Sequence, residues 1–370
     1  VALALAGARL VDPYVETLQY KTLKPSKIRG VQSEGMVCSE KELGLSDEHE
    51  GIMLLPDDAP VGAPLREYLG DDVIEFEITP NLVHAFSVLG IARELAASLG
   101  LPVESIPLAD LTSTARDDSR VTIEDTALAP RCAMAIIENV TIGPSPDWMQ
   151  RRLTLAGMRP INNIVDITNY IMAEIGQPMH PYDADTLAEH GLIVRLAQPG
   201  ERLETIDHVV RELDEQMIVI ADSRGPIGLA GVMGGVNTEV SDTTTTVLLE
   251  AASFNPTLIR RTARLLKLPS EASARFQRGV DPNLGETAIR RYARLLSEID
   301  PGARVALLAD QYPRQKERSE VQMPMSEIKR LLGMEIPLAT TLDILTRLDL
   351  QPRAEDGADG SVVVVKVPTY

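Results

Sequence analysis

The sequence predicts a mixed α/β and α+β protein of several domains, and three observations support this prediction. The 370 residues exceed the roughly 100–200 that one domain contains. Hydrophobic residues make up 44% of the chain and charged residues 24%, which is ordinary for a protein with packed cores. Strand-like and helix-like runs alternate along most of the length. We expect a small β module, a linking α/β segment, a central α/β domain and a C-terminal winged-helix-like module.

The first two segments cover residues 1–65 and 66–130. Residues 1–65 are rich in glycine, proline and short apolar runs, which indicates short strands and turns. Residues 73–78 alternate between apolar and acidic side chains, and this predicts a strand with Ile74, Phe76 and Ile78 inward. A turn at 79–81 and a helix over 84–99 should follow, with Gly100 ending the helix. The polar stretch 102–130 is interpreted as a connector.

The third segment, residues 131–308, alternates strands and helices. One helix should begin after Ser145 and Pro146, with Ser145 as its N-cap, and end near Gly157. Asn255 followed by Pro256 predicts the start of a second helix, and residues 283–297 form a third amphipathic run. Strands are expected at residues 192–196, 218–221, 227–232 and 247–249.

The fourth segment, residues 309–370, begins with a polar linker over 311–320. Two short helices are predicted at 326–332 and 338–348, then an acidic turn at 355–360 and a strand at 362–367. Helix, turn, helix and strand in this order predict a winged-helix-like module. Because this segment is acidic, duplex DNA is not an expected partner.

Composition limits the possible functions. A net charge of −18 argues against a protein that coats nucleic acid nonspecifically, because neutralising phosphates requires clustered Lys and Arg. Cys38 and Cys132 match no metal-binding spacing, and no apolar run has the length of a membrane span. We therefore expect a cytoplasmic protein without a metal site or a membrane partner. The chain starts at Val1 and stops after a predicted strand, so we expect an internal piece of a longer protein.

Polar side chains are unusually dense among apolar ones between Gly157 and Asp183. Buried polar groups need hydrogen-bond partners, so this cluster is either a self-satisfied structural network or a recognition pocket. Asp166 could be a structural partner of Arg159. The candidate pocket residues in this stretch are Asn162, Asn163, Thr168, Asn169 and His180.

Two further segments could carry chemistry. Four glycines lie between Gly228 and Gly235, but the spacing fits neither a phosphate loop nor a dinucleotide fingerprint, so the glycines serve either tight packing or one wall of a pocket. Glu250 interrupts an apolar run, and a buried carboxylate needs a partner or a purpose. Its partner could be one of the arginines on the next helix; otherwise it serves a binding site. The candidates for an ion pair are Arg260, Arg261 and Arg264.

These segments resemble segments that occur in the same order in the beta subunits of bacterial phenylalanyl-tRNA synthetases. A further segment, residues 269–282, shares this resemblance and contains Ser270-Glu-Ala272 and Arg275-Phe-Gln-Arg278. The segment 33–45 resembles the closing part of the tRNA-binding OB-fold domain of that family. The resemblance implies four regions: part of an OB-fold domain (1–65), a small linking domain (66–130), a tRNA-editing domain (131–308) and a truncated winged-helix-like domain (309–370).

The resemblance also implies a function. Tyrosine attached by mistake to tRNA(Phe) would be hydrolysed in an editing site, while a partner alpha subunit attaches phenylalanine in a heterotetramer of two alpha and two beta subunits. ATP and Mg²⁺ would serve the whole enzyme, with no cofactor in this chain. Glu250 matches the glutamate that recognises the tyrosine hydroxyl. His180, Thr168 and Asn169 match residues near the ester and the terminal adenosine. The expected pocket positions are Gly234, Ser270, Ala272, Asn162, Asn163 and Arg159.

Two other functions are compatible with the residues alone. The chain could be a non-catalytic RNA-binding or assembly scaffold in which the polar cluster is purely structural. It could also be a free-standing small-molecule hydrolase, although no Ser–His–Asp arrangement is recognisable in the sequence. If the chain hydrolyses mischarged tRNA, we expect positioned polar groups and the ribose hydroxyl of the substrate to orient a water molecule.

Overall fold

The computed structural model describes residues 1–15, 17–46, 48–357 and 360–370. These residues form two compact units, Val1–Glu75 and Phe76–Tyr370. In the described part of the chain, no helix is both long enough and apolar enough to cross a lipid bilayer.

The described residues of the first unit form the short strands that its turn-rich sequence predicts, together with two short helices. Its small core holds Ala4, Leu10 and Cys38. The Ser39 hydroxyl and the Glu42 carboxylate cap the first helix reciprocally, and Gly44 ends it in the left-handed conformation. The elements are β1 (Leu3–Leu5), β2 (Arg9–Val11), β3 (Tyr20–Thr22), β4 (Ser26–Ile28), β5 (Val31–Ser33), β6 (Gly35–Val37), α1 (Glu40–Leu43) and α2 (Leu65–Leu69).

The second unit contains two five-stranded sheets, a helical layer and a C-terminal α+β segment. Its helices are α3 (Val88–Leu99), α4 (Asp147–Leu155), α5 (Asn163–Ile175), α6 (Pro256–Leu265), α7 (Glu271–Phe276), α8 (Leu284–Ile299), α9 (Met325–Leu332) and α10 (Leu338–Arg347). Its strands are β7 (Ala115–Arg116), β8 (Val121–Ile123), β9 (Arg131–Glu138), β10 (His180–Asp183), β11 (Leu192–Leu196), β12 (Arg202–Glu204), β13 (Val210–Glu212), β14 (Ile218–Asp222), β15 (Gly225–Leu229), β16 (Met233–Gly234), β17 (Thr246–Ser253), β18 (Arg304–Gln311), β19 (Ser319–Pro324), β20 (Arg353–Gly357) and β21 (Gly360–Val367).

The first sheet has the strand order β10-β17-β9-β18-β7, and its strands β9 and β17 are buried on both faces. Successive side chains of a strand point to opposite faces, so its central strand β9 supplies two cores at once. Ala133, Ala135 and Ile137 pack with α5 and α8 on one face. Met134 and Ile136 belong to the second core, between the two sheets. A continuous apolar run follows from this double burial.

The second sheet has the order β16-β15-β14-β11-β8 and packs against the face of the first sheet that α5 and α8 leave free. Ile218, Ile220 and Val194 contribute to the core between the sheets. The C-terminal segment has the sheet order β19-β21-β20, with α9 and α10 between β19 and β20. The two predicted helices and the predicted strand at 362–367 therefore occur there in the predicted order, whereas β19 and β20 were not predicted. The winged-helix label itself stays a prediction.

Several predicted elements are confirmed. The strand at 192–196 is β11, and those at 218–221 and 247–249 lie within β14 and β17. Asn255 caps α6 by accepting hydrogen bonds from the backbone of Thr257 and Leu258. The strand predicted at 227–232 ends earlier, because β15 stops at Leu229 and the chain turns back as β16.

Other predictions are wrong. Residues 73–78 form no strand, and Val73, Ile74 and Phe76 are 64%, 73% and 49% exposed, since no neighbouring strand offers backbone partners. The helix predicted over 84–99 begins at Val88, where the Ser87 hydroxyl accepts from Gly90. Residues 102–130 are not only a connector, because they provide the edge strands β7 and β8 of the two sheets.

The prediction that Ser145 caps α4 also fails. Ser145 does not cap α4; its hydroxyl donates instead to a carboxylate oxygen of Asp166 at 2.6 Å, and Pro146 occupies the N-cap position. The acidic turn at 355–360 begins as strand, because residues up to Gly357 belong to β20; residues 358 and 359 lie outside the described residues. The domain boundaries at 65, 130 and 308 stay predictions.

Candidate functional site

A cavity of about 70 Å³ lies where the two sheets meet. Its walls come from β10 and β17 of the first sheet, from β14, the β15–β16 hairpin and its turn, and from α7. The lining residues are Pro178, Met179, His180, Tyr182, Ile220, Gly228, Leu229, Ala230, Gly231, Val232, Met233, Gly234, Glu250, Ala272 and Phe276.

Glu250 supplies the one carboxylate of this lining. Its neighbours in β17, Leu249 and Ala251, face the helical layer, so strand alternation turns Glu250 toward the cavity between the sheets. The side chain is buried, and Tyr182 donates its hydroxyl hydrogen to Oε2 of Glu250 at 2.8 Å. Burial raises the pKa of Glu250 to about 7, although the hydrogen bond from Tyr182 opposes part of this rise. A carboxyl that titrates near neutrality inside a cavity is a candidate functional group.

His180 lies directly opposite Glu250 in the antiparallel ladder between β10 and β17. Its ring packs edge-on against Tyr182, with the ring centroids 4.5 Å apart. Burial lowers the pKa of His180 to about 4, so the imidazole is neutral at pH 7. The usual order of the two groups is thereby inverted, because the carboxyl holds its proton to a higher pH than the imidazole does. A neutral ring can accept a hydrogen bond from a water or a hydroxyl group.

Glycines allow the β15–β16 hairpin to approach these groups closely. A Cβ atom on Gly234 would lie 2.5 Å from Cε1 of His180, which is inside van der Waals contact. Gly231 has a φ of +64° and packs against Phe276, where a Cβ would lie 2.7 Å from Cδ2 of that ring. The glycine-rich segment therefore serves both tight packing and a pocket wall, the two alternatives that its sequence leaves open.

Two further predicted pocket positions lie on or beside α7. Ala272 lines the cavity. Ser270 is the N-cap of α7: its Oγ accepts from the backbone of Ser273 and donates to the carbonyl oxygen of Val232 at 3.1 Å. Ser270 thus ties α7 to the hairpin that carries Gly234, although it is not itself part of the lining.

The polar residues between Asn162 and Asn169 lie elsewhere, on α5, which packs on the opposite face of the first sheet. Asn162 caps α5 by accepting from the backbone of Ile164 and Val165. Asn163 bonds the loop before α4 through Thr141 and Gly143, and the Thr168 hydroxyl donates to the carbonyl oxygen of Val165. None of Arg159, Asn162, Asn163, Thr168 and Asn169 lines the cavity, so their assignment to a substrate site stays a prediction.

Neither of the two ion pairs considered from the sequence forms among the residues that the structure describes. Asp166 accepts from Ser145 and from the backbone of Ile161 rather than from Arg159, which is exposed. Glu250 has no basic partner within the described ranges, and its carboxylate accepts a hydrogen bond from Tyr182 instead. Arg261 pairs with Asp214 instead, at 3.6 Å. The structural explanation of Glu250 as an ion-pair partner is therefore wrong.

Sequence reasoning missed Tyr182 and Phe276 as parts of the site. The signal for Tyr182 is its position two residues after His180 in a strand, which places both rings on one face. The signal for Phe276 is its spacing of four residues from Ala272 on one helix. Among the residues that the structure describes, no cluster of three or more His, Cys, Asp or Glu side chains could hold a metal ion.

The geometry defines a small pocket that offers one buried carboxylate and one neutral imidazole, between apolar walls and close backbone. Such a site can bind a ligand with an aromatic or aliphatic body and a hydroxyl group that donates to Glu250. It can also orient a water beside His180.

Comparison with known proteins gives two matches to family models. Residues 128–301 match a B3/4 domain, which includes every lining residue of the cavity. Residues 9–64 match a putative tRNA binding domain, within the first unit.

Beta subunits of phenylalanine–tRNA ligases are similar over the whole chain. The subunit from Dehalococcoides mccartyi is 45% identical over 98% of this chain, and the subunit from Moorella thermoacetica is 44% identical over 100%. The subunit from Porphyromonas gingivalis is 40% identical over 99%. These matches identify the class of the chain, a component of an aminoacyl-tRNA synthetase. Within that class it belongs to the family of phenylalanine–tRNA ligase beta subunits, and it spans 46% of the length of each of these three relatives.

A solved structure titled as an N-terminal fragment of the phenylalanyl-tRNA synthetase beta subunit from Pyrococcus horikoshii also matches. It shares 14% identity and covers 78% of this chain and 79% of its own, with a TM-score of 0.35. These values are too low to establish a shared fold.

Proposed function

We propose that the cavity binds the tyrosyl group of Tyr-tRNA(Phe) and that the chain hydrolyses this mischarged ester. The observation that carries the proposal is the setting of Glu250. This buried carboxylate faces a cavity, accepts a hydrogen bond from a tyrosine hydroxyl and has no basic partner among the described residues. A buried acceptor with no charged partner is costly, and a phenol that donates to it reduces that cost. The family of the chain supplies the substrate class.

Discrimination follows from the same physics. Phenylalanine lacks the hydroxyl, so its ring would leave Glu250 without a ligand donor inside apolar walls. A site that hydrogen-bonds a hydroxyl can reject the analogue without it by roughly 10⁴-fold, whereas a pocket shaped for a phenyl ring rejects an added hydroxyl by only about 10²-fold. A separate hydrolytic site with a buried acceptor is therefore the effective arrangement for removing tyrosine.

Hydrolysis adds one water across the ester: the hydroxide part joins the tyrosyl carbonyl carbon, and the ribose oxygen leaves with the proton. The neutral His180 ring is suited to hold the water or the ribose hydroxyl by accepting a hydrogen bond. Orientation of the water would supply most of the acceleration, since the lining contains no serine or cysteine nucleophile. Thr168, Asn169 and the other α5 positions enter this scheme only through the family resemblance.

The remaining parts of the proposal concern the whole ligase. We assign tRNA binding to the first unit, whose residues 9–64 match the putative tRNA binding domain. The alpha subunit would be the partner that attaches phenylalanine, with ATP and Mg²⁺ bound there rather than in this chain.

The test is deacylation of Tyr-tRNA(Phe), charged beforehand, by the ligase assembled with wild-type or Glu250→Ala chain. Loss of a hydrogen bond to a charged acceptor should slow Tyr-tRNA clearance by about 10- to 100-fold, while the rate of phenylalanine charging stays unchanged. Arg261→Ala, on the exposed face of α6, is the matched control and should clear Tyr-tRNA normally.

Clearance by Glu250→Ala at the wild-type rate would refute the assignment. The absence of clearance by the wild-type ligase would instead favour the scaffold function, which the local hydrogen bonds of Asn162, Asn163 and Thr168 support.

A further inference from the structure

Tyr182 is the only side chain, among those described, that hydrogen-bonds Glu250. Both side chains are nearly inaccessible, with 1% of Tyr182 and 6% of Glu250 exposed. A tyrosine hydroxyl carries a single hydrogen, and here that hydrogen goes to Oε2 of the carboxylate. The second carboxylate oxygen, Oε1, has no hydrogen-bond partner in the described part of the chain.

The surroundings fix the position of this hydroxyl. The Tyr182 ring packs edge-on against His180 at an interplanar angle of 74°, and its strand is paired to β17 from His180 to Asp183. On the other side, a Cβ atom at Gly228 would come within 3.5 Å of the Tyr182 hydroxyl oxygen. The hydroxyl is therefore held between β15 and Glu250, with little freedom to turn away.

We infer that Tyr182 is a positioning residue that determines specificity: it occupies one oxygen of Glu250 and leaves the other, fixed in place, as the acceptor for a phenol of the substrate when the carboxyl is ionised. This inference rests on the proposed function. It adds a residue that neither the family matches nor the sequence motifs assign, and it specifies a pocket in which two phenols share one carboxylate.

The physical consequence concerns the protonation state. The hydrogen bond from Tyr182 favours the charged form of Glu250, against burial, which favours the neutral form. A protonated carboxyl would use its own hydrogen as a donor, and the charged acceptor that distinguishes tyrosine from phenylalanine would be lost. Tyr182 therefore keeps the pocket selective toward neutral pH, and without it selectivity requires a more alkaline solution.

The experiment compares wild-type, Tyr182→Phe and Tyr292→Phe chains in the assembled ligase. Tyr292 is a matched control: it is also fully buried, and its hydroxyl donates to the carbonyl oxygen of Ile164, on the face of the first sheet that bears α5. The rate of Tyr-tRNA(Phe) deacylation is measured from pH 5.5 to 9, and the fit gives the midpoint of its rise with pH. Far-UV circular dichroism and the fluorescence of Trp148, the single tryptophan, verify folding.

We expect Tyr182→Phe to move the midpoint upward by about one pH unit and therefore to slow clearance at pH 7 by about fivefold. Tyr292→Phe should keep the wild-type midpoint, because a purely structural loss of a buried hydroxyl does not alter the ionisation of Glu250. Substituting 3-fluorotyrosine at position 182, a stronger donor of the same shape, should move the midpoint downward. It also serves as the test if the phenylalanine variant fails to fold.

A second readout does not need tRNA. The Glu250 carboxyl is followed by ¹³C NMR in the unassembled chain with labelled glutamate, assigned through Glu250→Gln, and its titration should move upward in Tyr182→Phe. An unchanged midpoint and an unchanged titration in that variant overturn the inference even if the ligase clears Tyr-tRNA. If no variant clears Tyr-tRNA, the proposed function fails and the specificity role of Tyr182 falls with it; the NMR titration then shows separately whether the hydroxyl controls Glu250.

Discussion

Replacing Glu250 with Gln removes an ionisable group from the cavity while keeping its size, and this should change how stability depends on pH. In the wild-type chain, the Glu250 carboxyl has a pKa of about 7 when folded, against a usual value of 4.5. Between these two pH values the unfolded chain has lost a proton that the folded chain still holds. Stability contributed by the proton on Glu250 is therefore complete below pH 4.5 and is lost as the pH rises to 7.

The magnitude follows from the size of the shift. Each pH unit of pKa difference corresponds to about 1.4 kcal/mol, so the wild-type chain should lose about 3 kcal/mol relative to Glu250→Gln between pH 4 and pH 8. At pH 4 the carboxyl is protonated in both states, and the difference there measures only the exchange of a hydroxyl for an amide. The pH-dependent part of the difference consequently isolates the ionisation.

The assay is urea unfolding of both chains at several pH values, followed by the fluorescence of Trp148, which lies on α4 of the second unit. Groups other than Glu250 titrate identically in the two chains and cancel in the comparison. The difference in unfolding free energy between the two chains could instead stay constant within about 0.5 kcal/mol from pH 4 to 8, which is small beside the shift expected from linkage. That result would mean that Glu250 is solvated. A wild-type chain that gains stability with pH relative to the variant would mean that a cation pairs with it.

Three other substitutions test the same site. His180→Gln should show the opposite pH dependence, because the folded imidazole has a pKa of about 4. Urea unfolding should show that the wild-type chain gains about 2 kcal/mol of stability relative to the variant from pH 4 to 6.5. This value is reduced from the full linkage value because the ring is partly exposed. Gly234→Ala should displace His180 and slow Tyr-tRNA clearance at least tenfold, with unchanged phenylalanine charging in the same preparation. Gly231→Ala should cost about 2–4 kcal/mol in urea unfolding, because φ is positive and the methyl group meets the Phe276 ring; a loss under 1 kcal/mol would contradict this packing.

Much of the second unit could be predicted because its local signals agree with the final packing. Asn255 before Pro256, Gly100 and Gly157 mark helix ends by chemistry that operates within a few residues. The prediction at 73–78 failed because an alternating pattern forms a strand only where a neighbouring strand can pair with it. Local sequence signals do not show whether such a neighbour is present. The same limit hid β7 and β8, whose residues form strands only because β18 and β11 lie beside them.

The candidate site was predictable in part. The interruption of an apolar strand by Glu250 marks a carboxylate that must face a core, and the glycine-rich segment indicates close backbone approach. Which partner meets Glu250 is decided by pairing across 68 residues of sequence, between β10 and β17, and no local pattern encodes that register. Arginines close in sequence were therefore the natural expectation, although Tyr182 is the partner.

The density of polar residues between Asn162 and Asp183 combines two different structures. Asn162, Asn163 and Thr168 have hydrogen bonds to their own helix or to adjacent loops, which is the ordinary use of Asn and Thr at such positions. His180 has no such partner in the described ranges; its ring faces Gly234 and Tyr182. A polar group that the protein leaves without a local partner, at the place where backbone approaches most closely, has hydrogen-bonding capacity left for a ligand. The first sheet therefore separates a structural cluster on one face from a binding cavity on the other. The cavity exists chiefly because Gly228, Gly231 and Gly234 have no side chains to fill it, and the number of polar residues nearby matters less.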